Sequence, residues 1–158
     1  MEKIAVFVDV QNIYYTVKEG LKGKFDYNAF WKKLIEQNCE IMVAYAYAID
    51  RNDQKQIQFQ NILRGIGFEV KLKPFIHRSD GSSKGDWDVG IAVDMLEEYP
   101  NADRLILLSG DGDFDILVKK IISKGKQVDI FGVPQLTADS LINCASQFHP
   151  IDHSLLMK

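Results

Sequence analysis

Short continuous apolar runs alternate along this chain with stretches whose apolar residues recur at helical spacing. Ile4-Ala5-Val6-Phe7-Val8 is an unbroken apolar run ending at Asp9, the pattern of a strand buried on both faces. A helical stretch with Tyr14, Tyr15 and Val17 follows. Phe30, Trp31, Leu34 and Ile35 predict a second helix, with Asp26 and Asn28 ahead of it as candidate caps. Ile41 to Ile49, rich in β-branched and aromatic residues, predicts a second buried strand. Phe59, Ile62, Leu63 and Ile66 fall at i, i+3, i+4 and i+7, so residues about 53–66 read as an amphipathic helix, stopped by Gly65 and Gly67. Phe68 to Phe75 alternates apolar and polar residues with Pro74 near its end, as a strand near a sheet edge does.

The polar, glycine-rich stretch from His77 to Gly85 predicts a flexible loop. Val89, Ala92, Val93 and Leu96 then return to helical spacing, closed by Pro100 and Asn101. Leu105–Leu108 and Val128–Val133 read as strands. Between them Phe114, Leu117, Val118, Ile121 and Ile122 mark a helix ended by Gly125. Thr137 is a candidate cap for a final helix with Leu141, Ile142 and Ala145. Strands alternating with helices imply βαβ units, right-handed crossovers and a mostly parallel sheet with helices on both faces. The pattern leaves the strand order open.

Composition bounds the picture. The 158 residues suit one domain, residues 1–158, and with 46% hydrophobic and 26% charged residues it needs no disulfide or metal for its core. Twenty-two acidic against 19 basic residues give a net charge of −3, which excludes a polycationic nucleic-acid coat. Cys39 and Cys144 stand far apart, and His77, His149 and His153 lack metal-ligand spacing, so neither a zinc site nor a disulfide framework is expected. The residues after Lys3 are too few for an apolar signal core, and the run Ile41–Ile49 is about half of a membrane span. The expectation is a soluble cytoplasmic protein with reduced thiols and no membrane partner.

In open α/β sheets ligands gather outside the carboxyl ends of the strands, and this sequence places acids there. Asp9 ends the first strand, with Asn12 three residues on. Ser109-Gly110-Asp111-Gly112-Asp113 follows the strand Leu105–Leu108, and Asp86 and Asp88 open the helix after the glycine-rich loop. Several ionised carboxylates stay ionised together only if a cation joins them, and an oxygen-only set suits Mg²⁺ or Mn²⁺ rather than zinc. Gly110 and Gly112 are expected to permit tight turns and leave room for a substrate. Asp94 is about 120° around the helix from Asp88 and is given at most a supporting or salt-bridge role. Asp86 and Asp115 are expected to face solvent. The string from Asp111 fails as a calcium loop, since its sixth position is Ile116 and its twelfth Ile122. No glycine pattern for a dinucleotide or nucleotide phosphate occurs. No lysine follows the late strand as a phosphoacceptor receiver requires.

Phe7-Val8-Asp9-Val10-Gln11-Asn12, Lys84-Gly85-Asp86-Trp87-Asp88-Val89 and Leu108-Ser109-Gly110-Asp111-Gly112-Asp113-Phe114, in this order, resemble the NYN domain family and, within it, the bacterial LabA-like branch of PIN-like proteins. The resemblance runs from about residue 2 to 150. It implies a three-layer PIN-like α/β fold with a central, mostly parallel sheet flanked by helices, a divalent-metal site, and RNA, single-stranded or structured, as substrate. By that likeness Asp9, Asp88, Asp111 and Asp113 are the catalytic and metal-binding acids, and Asn12 and Ser109 are accompanying polar positions that, with Lys84, are expected to bind substrate. The implied reaction is phosphodiester hydrolysis by a metal-activated water, leaving a 5′-phosphate and a 3′-hydroxyl. Two positions depart from the pattern: Val10 stands where many relatives carry Gly, and Ala145-Ser146-Gln147-Phe148 replaces an Ala-Asp pair before an aromatic.

A nuclease must also hold phosphates. Candidate groups are Lys18, Lys22 and Lys24; Lys71, Lys73, Arg78 and Lys84; and Lys119, Lys120, Lys124 and Lys126. The loop group is preferred because Lys84 lies four residues before Asp88. Tyr14, Tyr15 and Trp87 are candidate base-stacking residues. Two readings compete with a Mg²⁺/Mn²⁺ ribonuclease: a catalytically silent regulatory or RNA-binding module, and a metal-dependent phosphatase, disfavoured because Asp9-Val10-Gln11 lacks the second acid of a DxD motif. The oligomeric state, monomer or homodimer, stays open.

Overall fold

The computed structural model of the chain describes residues 1–74, 76–77, 83–84 and 86–158, with the backbone alone at 76–77 and 83–84. Its strands are β1 (Glu2–Asp9), β2 (Cys39–Asp50), β3 (Glu69–Pro74), β4 (Ile76–His77), β5 (Ser83–Lys84), β6 (Arg104–Leu108), β7 (Gln127–Gly132) and β8 (Gln147–Pro150). Its α-helices are α1 (Val10–Leu21), α2 (Tyr27–Ile35), α3 (Gln54–Ile66), α4 (Asp88–Glu98), α5 (Asp115–Ser123) and α6 (Asp139–Cys144). Six strands form one sheet in the order β3-β2-β1-β6-β7-β8, every pairing parallel. β4 and β5 pair antiparallel as a separate ribbon, and the rest of the expected flexible loop lies outside the described residues.

Alternation along the central strands feeds two cores. Ile4, Val6 and Val8 of β1, with Ile106 and Leu108 of β6, join Ile13, Val17, Phe30, Leu34 and Leu63 from α1, α2 and α3. Ala5 and Phe7, with Leu105 and Leu107, join Ile91, Met95, Val118, Ile121 and Leu141 from α4, α5 and α6. The sheet is therefore the middle of three layers, as the sequence predicts. Among the described residues no helix is long and apolar enough to cross a membrane.

The departures have physical causes. In α4 the side chains turned inward are Ile91 and Met95, while Val89, Val93 and Leu96 are exposed. This helix is apolar on several faces, so spacing alone did not select the buried one. Ile62 of α3 is likewise exposed, and its neighbour Leu63 is buried. Met42 is exposed where the β1–β2 register slips: Ile4 pairs with Ile41 and Ala5 with Val43. Thr137 does not cap α6; its buried hydroxyl donates to the Val133 carbonyl at 2.8 Å. Asp26 caps α2 by accepting from the Ala29 N–H at 3.0 Å, whereas Asn28 lies inside that helix. The hydrophobic pattern does not predict β8. This strand is secured partly by buried Asp129 of β7, whose carboxylate accepts from Arg104 and contacts His149 Nε2 at 2.9 Å.

Candidate metal centre

β1 and β6 are sheet neighbours, with Val8 beside Leu108. The chain continues from β1 to β2 on one side and from β6 to β7 on the other. That divergence opens a crevice at their carboxyl ends, where α/β folds bind ligands.

Asp9 ends β1 and caps α1, accepting from the Asn12 N–H at 3.4 Å. The buried Ser109 hydroxyl donates to the other Asp9 carboxylate oxygen at 3.4 Å and accepts from the Asp111 N–H at 3.2 Å. Asn12 Oδ1 accepts from the Gly110 N–H at 2.9 Å, tying the first turn of α1 to the loop after β6. Asp111 caps the 3₁₀ turn Gly112–Phe114 by accepting from the Asp113 N–H at 2.9 Å. Capping and clustering thus use the same carboxylates.

Asp88 is the first residue of α4, which packs on the face of the sheet opposite α1 and on the same face as α5. Trp87 Nε1 donates to the Ala48 carbonyl at 2.9 Å, and Lys73 donates to the Asp86 carbonyl at 3.0 Å while lying 4.8 Å from the Trp87 ring centre. Gly90 leaves space for the indole: a Cβ there would stand 2.5 Å from a ring atom. The result is that Asp88, Asp111 and Asp113 each offer a carboxylate oxygen within 4.8 Å of the others. Asp9 lies outside that mutual reach, as a buried neighbour whose charge is felt by Asp88.

The crowding is costly without a counter-charge. Burial, then the charge of Asp111 and a hydrogen bond to it, push the Asp88 carboxyl up to about 7. Burial raises Asp9 to about 6, against the hydrogen bond from Asn12, with Asp111 adding to the rise. Three carboxylates and no nitrogen or sulfur donor make a set fitted to a hard divalent cation.

Other sequence-predicted residues are placed as follows. Asn12 and Ser109 both use side-chain oxygens in internal hydrogen bonds, Asn12 to the Gly110 N–H and Ser109 to Asp9 and the Asp111 N–H. The side chains of Lys84 and Arg78 lie outside the described residues. Lys71 is engaged by Asp94 at 2.7 Å and by the Tyr45 ring at 4.0 Å, and Asp94 also accepts from Tyr47 at 2.8 Å. Asp94 therefore has the salt-bridge role weighed for it. Asp86 is exposed and Asp115 half-buried. Trp87 is an anchor, not a free stacking face. Gly110 and Gly112 make room for the protein itself: a Cβ on Gly110 would lie 2.6 Å from the Leu136 carbonyl oxygen, and one on Gly112 2.8 Å from Ala138 Cβ. The anchoring pair Trp87 and Lys73 was missed as such; the indole between two aspartates was the available signal.

A parallel α/β sheet in three layers, with carboxylates converging at its carboxyl edge, is consistent with a PIN-like fold. The NYN domain model matches residues 3–152, and the chain belongs to the NYN domain family. It is 25% identical to the low amplitude and bright protein LabA of Synechococcus elongatus, an alignment covering 92% of this chain and 82% of that protein. It is also similar to the crystal structure of a protein of unknown function from Vibrio parahaemolyticus, with 55% identity, a TM-score of 0.93, and coverage of 99% of this chain and 96% of that one. Family and acid cluster together point to nuclease-type chemistry.

Proposed function

We propose that this protein is a divalent-metal-dependent ribonuclease that hydrolyses RNA phosphodiester bonds at the Asp88–Asp111–Asp113 cluster, with cytoplasmic RNA as its substrate. One observation carries the reading: three carboxylate oxygens from two separate segments of the chain stand within 4.8 Å of one another in an NYN domain. A Mg²⁺ or Mn²⁺ ion held by Asp88, Asp111 and Asp113 supplies charge neutralisation, a polarised phosphoryl oxygen and a bound water of lowered pKa. Asp9, raised by burial to about 6, is a better proton acceptor than an exposed aspartate and is still ionised at neutral pH. Ser109 and Asn12 fix the Asp9 carboxylate and the loop after β6 in one relation.

The test is cleavage of a single-stranded RNA by the purified protein in Mn²⁺, with EDTA as the control. Asp111→Asn keeps the fold and lowers the rate by at least about 100-fold, as loss of a charged group aimed at the reacting centre does. Undiminished cleavage in Asp111→Asn overturns the assignment. Mn²⁺ binding by calorimetry with no turnover of any RNA replaces it with a binding module.

A further inference from the structure

We infer that the exposed face of α1 is a track for single-stranded nucleic acid, with Tyr14 and Tyr15 as the base-stacking residues and Lys18 and Lys22 beside the phosphates. The inference rests on the nuclease reading for its orientation, and it names how that site holds its substrate. Among the described residues Tyr14 and Tyr15 are the only exposed aromatic side chains, at 48% and 52% exposure. The other described aromatics are drawn into the two cores or half-covered at their margins, Trp87 included. The two rings meet edge to face, centroids 5.3 Å apart, and Lys18 Nζ lies 5.7 Å from the Tyr14 ring centre.

Helical geometry makes these residues one stripe. Val10, Ile13 and Val17 are buried. Gln11, Tyr14, Tyr15 and Lys18 recur at spacings of three and four on the side away from them, with exposed Glu19 one turn beyond Tyr15, and Lys22 follows as the left-handed residue that ends the helix. Tyr14 and Tyr15 stand about 8 Å along the helix axis from Asp9. That span is two to three stacked nucleotides at about 3.4 Å each. The Asn12 to Gly110 hydrogen bond ties the first turn of α1 to the loop that carries Asp111 and Asp113.

Charge complementarity selects the occupant. The acid cluster repels phosphate unless a cation is bound, so a polyanion needs positive side chains nearby, and Lys18 and Lys22 continue the stripe away from the acids. Of the basic group near Asp88, the two lysines with described side chains are engaged elsewhere, Lys71 by Asp94 and Lys73 by the Asp86 carbonyl and the Trp87 ring. Aromatic faces interleaved with lysines fit a strand with unpaired bases. A duplex hides its base faces.

The experiment is fluorescence anisotropy of a labelled RNA decanucleotide with the full chain in EDTA, where no cleavage intervenes. Tyr14→Ala/Tyr15→Ala weakens binding by about tenfold or more, whereas Tyr14→Phe/Tyr15→Phe stays within about twofold of wild type because the ring face remains. The loss grows with oligonucleotide length from two to ten. Circular dichroism and Tm of both variants match wild type, since neither ring is buried. Equal binding by wild type and the alanine pair overturns the inference. So does equal weakness of the phenylalanine and alanine pairs, or no binding of any oligonucleotide by wild type. The two readings fail separately. RNA cleavage in Mn²⁺ with normal binding by the alanine pair removes the track and leaves the nuclease. Weakened binding with no cleavage in any metal removes the nuclease and leaves the track.

Discussion

Asp9 is only 9% exposed, and its carboxyl is raised from 3.8 to about 6, chiefly by burial. Between those values the native state holds the Asp9 proton more tightly than the unfolded chain does, so this residue's contribution to stability falls as pH rises through the window. Above about pH 6 the penalty is complete, at about 2–3 kcal/mol. In EDTA, Asp9→Asn is expected to raise the denaturant midpoint at pH 7.5 and leave it nearly unchanged at about pH 3, below the unfolded pKa; asparagine still caps α1. Urea titrations at the two pH values check this, and equal effects at both contradict it. Gly110 makes a second prediction. Its missing Cβ accommodates the Leu136 carbonyl and Thr137, so Gly110→Ala is expected to cost about 2–3 kcal/mol and lower Tm by about 5–10 °C, read by calorimetry. The sequence marked both residues, Asp9 as an acid after a buried run and Gly110 as a turn former. It hid their partners, because Ser109 and Leu136 approach through tertiary packing.

At the scale of elements, the segment that presents Asp88 is held by one indole hydrogen bond and one lysine. Trp87→Phe keeps the ring packed against Tyr47, 5.2 Å between centroids, but loses the bond to the Ala48 carbonyl. It is expected to weaken Mn²⁺ binding by about tenfold, as loss of a group that orients a metal ligand does, measured by calorimetric titration. Unchanged affinity removes Trp87 from the account. At the other end of the sheet, Asp129 joins β6, β7 and β8 through Arg104 and His149. Asp129→Asn is expected to cost about 2 kcal/mol, because the buried charge-assisted bonds are lost while partly exposed Arg104 turns to water; urea denaturation reads it. Strands β1 and β6 were legible because runs of five and four consecutive apolar residues, Ile4–Val8 and Leu105–Leu108, have few other fates, and β7 because Val128, Ile130 and Phe131 flank a single acid, Asp129. β8 was not: Gln147-Phe148-His149-Pro150 carries one apolar residue suited to a strand, and its position depends on Asp129, distant in sequence. The buried face of α4 was illegible for a different reason. Val89, Val93 and Leu96 have helical spacing as good as that of Ile91 and Met95, and only packing against Phe7 and Leu107 decides between them.

For the whole molecule, the sequence identified the four acids but not their juxtaposition, since convergence requires β6 to lie beside β1. The order β3-β2-β1-β6-β7-β8 supplies it, and hydrophobic periodicity carries no information about strand order. Family resemblance supplied the expectation that periodicity lacked. The structure then sorts the acids into three that share a point and one, Asp9, buried beside them. The account stands on that point being a cation site. The direct test is an anomalous difference map from a crystal soaked in Mn²⁺ near pH 7.5. The account predicts a peak about 2.1 Å from carboxylate oxygens of Asp88, Asp111 and Asp113 together, the distance of a hard divalent ion. A cluster without a peak, or a peak held by other residues, contradicts it.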